Sequence, residues 1–141
     1  MMEQLIPMHP KLVHFPIALI ITALILDILS RIFRRGNLHE AAVVIYVVAV
    51  FFTPVVVWAG LWEQQRLHLH HPVLAQHKLY AFVTMWLSLL SLPALWLIKI
   101  KFLKAFRIVF SCLLLCLAML VTVTGYYGGK MVYEYGAGVE Q

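Results

Sequence analysis

The stretch MHPKLVHFPIALIITALILDILSRIFRR, residues 8–35, decides the fold. From Leu12 to Phe33 it is almost unbroken aliphatic side chain. A helix of that length spans the roughly 30 Å of hydrocarbon in a bilayer. Its basic residues follow the run, at Arg31, Arg34 and Arg35, and the run is too long for a signal-peptide core. Two histidines and two prolines stand at its mouth: His9-Pro10 and His14-Phe15-Pro16. Imidazole is costly to bury in lipid, so His14, about one turn inside the run, asks for a reason.

Three more runs have the same character, at about Ala41–Trp62, Val73–Ile98 and Ala105–Tyr127. The chain of 141 residues is 63% hydrophobic and 12% charged, with a mean hydropathy of +0.90. A soluble globule of this size cannot hide so much apolar surface. The pattern predicts an all-α integral membrane protein, a four-helix up-down-up-down bundle in one domain over residues 1–141. Residues 34–39 and 100–104 are expected as tight turns. Pro54 and Pro93 lie inside the second and third runs, where kinks are tolerated. Cys112 and Cys116 share one apolar run and read as small packing residues, since one helix does not form a disulfide at that spacing.

The net charge of +5 belongs to residues flanking the apolar runs, so it speaks of membrane orientation rather than nucleic acid. The first and third connections hold Arg31, Arg34, Arg35, Lys99, Lys101, Lys104 and Arg107. The tails and the middle connection hold only Lys11, Arg66, Lys78 and Lys130. Seven against four places the first and third connections in the cytoplasm. Both termini then face outward, to the periplasm if the bilayer is a bacterial inner membrane.

Sorted by side, six of the seven histidines are outer: His9, His14, His68, His70, His71 and His77. His39 is alone on the inner side. In an up-down-up-down bundle the first and third helices are diagonal, so His14 and His77 are expected to face each other at one level. Gly60 and Gly125 lie on the other diagonal. Two imidazoles above and below, with two glycines at the edges, suit a flat macrocycle such as haem b. His9 is then a support or propionate contact, with Lys11, Arg66 and Lys78 near the propionates. The alternative is a Zn or Cu site drawing on His70, His71 and the other outer histidines, without thiolate. A third reading has no cofactor: a structural subunit whose tail docks on a larger membrane complex. Against each ligand reading stands a plainer one, in which a histidine near a helix mouth reaches interfacial water and membrane glycines serve helix packing. Asp27 and Arg31, four residues apart, read as an ion pair near the inner interface. Trp58, Trp62, Tyr80, Tyr126 and Tyr127 read as an interfacial aromatic belt. No carboxylate pair or Ser/His/Asp set lies at membrane depth, so the chain is not expected to be an enzyme on its own.

Two end motifs carry a resemblance. His9-Pro10 with Val13-His14-Phe15-Pro16, and Gly128-Gly129, Val132-Tyr133 and Gly136-Ala137-Gly138-Val139, resemble the ends of a bacterial membrane family, domain of unknown function 2231. Gly60 and His77 match a glycine late in its second helix and a histidine opening its third. Tyr135 departs from it, standing where that family often has histidine, which weakens any C-terminal ligand. The resemblance covers nearly the whole chain and implies a four-helix membrane protein; haem or metal binding is raised by it, not specified. Taken together, the expected function is electron transfer or redox sensing beside a periplasmic partner or membrane complex, as a monomer or homo-oligomer in the lipid bilayer.

Overall fold

A computed structural model describes residues 9–67 and 72–136. Four helices account for nearly all of them: α1 (His9–Ile32), α2 (Gly36–Leu67), α3 (Pro72–Lys101) and α4 (Leu103–Tyr133). All four are long and apolar enough to cross a membrane. Inside hydrocarbon no water pairs with a free backbone group, so each segment must satisfy its own amides, and a helix does so. Pro16, Pro54 and Pro93 lie inside α1, α2 and α3, and each removes one backbone donor. Pro54 cannot donate to the Val50 carbonyl, and the Thr53 hydroxyl donates there instead, at 2.8 Å.

The turns are tighter than the sequence predicts. Only residues 33–35 separate α1 from α2, and only Phe102 separates α3 from α4. His39, expected in the first turn, is therefore a residue of α2. Arg34 takes the left-handed conformation, φ 53°, that lets the first turn close. The Arg35 amide donates back to the Ser30 carbonyl at 3.0 Å.

α1 packs chiefly on α2, and α3 on α4, so the bundle is two helical hairpins side by side. The α1–α4 and α2–α3 seams are sparser, and the backbones of α1 and α3 do not meet among the described residues. The core is aliphatic and aromatic, with Ile20, Tyr46, Val50, Phe110, Leu114 and Leu117 at its centre. Ala23, Ala42 and Ala49 let α1 and α2 approach closely. Polarity is inverted relative to a soluble protein. Trp58, Trp86, Trp96 and Phe51 point outward, while Asp27, Ser30, His39, Thr53, Glu63, His77, Thr84, Ser88 and Thr124 are buried.

The hairpins are related by a register of 68 residues. Shifting α1 and α2 by that amount lays them on α3 and α4, and one polar arrangement recurs in both halves. This is a parallel repeat, whose pseudo-two-fold axis runs along the bundle.

Candidate functional site

The repeat brings two histidines together. His9 is the first residue of α1, and its Nδ1 lies 3.1 Å from the Val56 carbonyl of α2. His77, early in α3, has Nδ1 3.0 Å from the Thr124 carbonyl of α4. Both bonds bridge 47 residues of sequence. A carbonyl only accepts, so both Nδ1 atoms carry the proton. In the neutral tautomer each Nε2 is then left with its lone pair. The two rings meet across the diagonal, centroids 6.0 Å apart and planes at 89°. An element on a two-fold axis faces its own counterpart, which is why His9 meets His77 although α1 and α3 do not touch by backbone.

Two glycines make room for the rings. A Cβ on Gly60 would stand 2.8 Å from His9 Cε1, inside any allowed contact. On Gly128 it would stand 3.3 Å from His77 Cε1, a tight contact. Gly60 and Gly128 are again 68 residues apart. Glu63, one turn beyond Gly60 and buried, accepts the His9 backbone N–H at 3.1 Å. A carboxylate is well placed on the unpaired amides of a helix start. Below the rings lies an apolar cavity of about 50 Å³, walled by all four helices and including Val13, Val56, Ala81 and Thr124.

Two expectations need correction. His14 is not the partner of His77: its side chain is exposed on the outside of α1. Five residues at 100° each turn it about 140° away from His9, so one of the two had to face out. Gly125 is not the edge of a slot either. It is exposed, with nothing within 4 Å of where a Cβ would go, and Gly128 has the close contact instead. Gly60, expected beside a macrocycle edge, stands against the His9 imidazole. His68, His70 and His71, and the Arg66 side chain, lie outside the described residues; Lys11 is exposed and Lys78 half-buried.

The family described as a predicted membrane protein (DUF2231) matches residues 5–141. The chain belongs to that family. No curated protein and no solved structure matches it. The DUF2231 membership fixes the membrane class, and the chemistry has to come from the residues.

A second buried polar cluster occupies the opposite end of this DUF2231 chain. Asp27, fully buried, accepts from His39 Nδ1 at 2.7 Å, and its other oxygen accepts from the Ser111 hydroxyl. The expected Asp27–Arg31 pair is present at 3.5 Å, but Arg31 also donates to the Arg107 carbonyl at 2.7 Å and to Ser111. His39 packs edge-on against Phe106 and Phe110, and its Nε2 is buried with no hydrogen-bond partner among the described residues. Spacing alone pointed to Arg31; His39, twelve residues from Asp27, is reached only through the turn.

Glu63 and the Val56 and Thr124 carbonyls escaped sequence reading, and Gly128 was read only as part of an end motif. Aligning the histidine openings of α1 and α3 at a 68-residue shift would have exposed Gly128 as the counterpart of Gly60.

Proposed function

We propose that His9 and His77 would hold a b-type haem, and that the protein passes electrons at the end of the bundle carrying its termini. The observation that carries this is the paired imidazole geometry: two rings edge to face, each with its Nδ1–H held by a backbone carbonyl. Ligating histidines are usually oriented in this way, with the second nitrogen engaged so that Nε2 presents its lone pair. The two ring centroids stand 6.0 Å apart with planes at 89°, close enough for both imidazoles to reach one group. Among the described residues no group of three or more His, Cys, Asp or Glu gathers at one point. A bare zinc ion asks for three or four protein donors, whereas haem iron needs only two because the macrocycle supplies the rest. When bound, the iron supplies one-electron chemistry. The protein's own part is to hold two neutral imidazoles, seat them on Gly60 and Gly128, and keep them from bulk water. The cavity of about 50 Å³ is far below the 300–1,000 Å³ of a usual ligand site, so room must come from the sparse α1–α4 and α2–α3 seams.

That small cavity favours a second reading. A single copper or zinc ion needs no slot, and histidines of the 68–71 connection would complete its donor set. Absorption and metal content of the full-length protein, purified from cells given haem precursor, decide between them. The haem reading expects a Soret band, lost in His9→Ala and His77→Ala and kept in His14→Ala. Stoichiometric zinc or copper without a Soret band transfers the site to the second reading. Neither signal leaves the pair structural. From the lysine and arginine bias we further propose that this end faces outward, to the periplasm of a bacterial inner membrane, so a reporter fused after Gln141 should read outside. A cytoplasmic reading would put the imidazole pair on the other face.

A further inference from the structure

At the opposite end of the bundle a cavity of about 350 Å³ opens on the α1–α4 seam, walled by Ser30, Arg31, Arg34, Gly36, Lys104, Arg107 and Ile108. Four of its walls are cationic and none is acidic. Arg31 is offset by Asp27. Among the described residues no carboxylate stands within ion-pair distance of Arg34, Lys104 or Arg107, so the cavity holds net positive charge.

The orientation bias explains basic residues at this end, but not where they stand. The repeat offers two corresponding seams, closed by different turns, and that bias favours neither. Carried across by 68 residues, Arg31 becomes Lys99, Arg34 becomes Phe102, Arg107 becomes His39 and Ile108 becomes Glu40. Lys99 there lies over the Phe106 ring, 5.9 Å from its centroid. One seam thus collects cations while its twin mixes lysine with an acid. The guanidinium of Arg31 is also fixed, by Asp27, Ser111 and the Arg107 carbonyl, whereas Leu95 and Val43 stand at the counterparts of Asp27 and Ser111. A buried carboxylate is spent on aiming one arginine at one seam.

We infer that this cavity binds a phosphate-bearing anion. Arginines match phosphate oxygens with paired, charge-assisted hydrogen bonds. The site sits where membrane helices end, beside apolar Ile108, so the phosphate can belong to an anionic phospholipid headgroup or to a free phosphate compound.

The test uses full-length protein in nanodiscs of phosphatidylcholine alone or with phosphatidylglycerol. Bound phosphatidylglycerol is measured after detergent extraction, and inorganic pyrophosphate is titrated separately into the phosphatidylcholine discs. Arg34→Gln with Arg107→Gln should weaken binding about tenfold or more, the loss of at least one charge-assisted bond. Lys99→Gln with Lys101→Gln, at the twin seam, should leave it unchanged. Retained phosphatidylglycerol that pyrophosphate does not displace makes the source a lipid; pyrophosphate binding that the Arg34/Arg107 change abolishes makes it soluble. Equal losses in both double variants reduce the effect to general surface charge and overturn the site, as does binding of neither probe. Should the glutamine variant not fold, Arg34→Lys with Arg107→Lys decides. It keeps the charge and loses the paired geometry, so wild-type binding in that variant overturns arginine recognition.

Discussion

At the end that carries the termini, His9 and His77 meet as equivalents across the pseudo-two-fold axis, each with the same carbonyl partner and the same glycine seat. At the turn end the equivalence is gone: Asp27 has Leu95 as counterpart, His39 has Arg107, and Ser111 has Val43. The 68-residue register runs through both ends, but at the turn end the backbone differs as well as the side chains: Arg34 takes φ 53° and its counterpart Phe102 φ −143°. A symmetric pair creates a site on the axis, where a ligand between two like donors belongs. An asymmetric cluster creates a site off the axis, on one seam. The same fold therefore arranges its buried polar groups in two ways, one on the axis and one off it.

The largest expected effect breaks the asymmetric end. Asp27→Leu copies the residue of the other half but leaves His39, Ser111 and Arg31 without their acceptor. Removing one partner from a buried charged cluster costs about 3–5 kcal/mol. Denaturant or thermal unfolding in detergent should show a loss of that order. Replacing Asp27 and His39 together by apolar residues should cost less than the single change, because no polar group is then stranded beside an empty site. A single variant as stable as wild type would show that the cluster is solvated and not packed.

The next effect sharpens the symmetric end. Gly60→Ala drives a methyl to 2.8 Å from the His9 ring, whereas Gly128→Ala places it at 3.3 Å from His77. Overpacking of this kind costs about 1–3 kcal/mol, and Gly60→Ala should stand at the upper end. The cofactor signal of the His9–His77 pair should fall in the same order. Equal effects would mean that the rings shift freely on both seats.

The helices, their number and their order were legible because apolar runs of membrane length have almost one solution. The turn bounds were not, since backbone pairing extends each helix past the apolar run and into residues such as His39. The depth of His77 behind Pro72 was legible, and the structure buries its side chain there. Its partner was misassigned because depth alone ranked His14 above His9, and depth ignores which way a helix faces. The 100° step of the helix separates the two histidines, yet it cannot choose between them without the neighbouring helix. The choice was made by Gly60 and the Val56 carbonyl, residues of α2 more than forty positions away. The Asp27–Arg31 pair was legible from local spacing. The cluster around it was not, because His39 and Ser111 reach Asp27 across a turn and from another helix.

The smallest effects fall on the residues that stand outside both ends. His14 is exposed about 140° around α1 from His9, and Gly125 has open space around it. Surface substitutions away from caps, cavities and buried networks stay within about 0.5 kcal/mol. Gly125→Ala should therefore cause no loss of stability, and both Gly125→Ala and His14→Ala should leave any cofactor signal intact. The contrast with His9 is the sharpest measure of the symmetric end, since both are histidines of one helix, five residues apart. The cofactor spectrum reports ligation, and there His9→Ala should lose what His14→Ala keeps. If the spectrum follows His14 instead, α1 must rotate by more than a third of a turn when the ligand binds. The Val56 and Gly60 contacts of His9 would then be a resting arrangement broken on loading, and Gly60→Ala would lose its effect on the loaded protein.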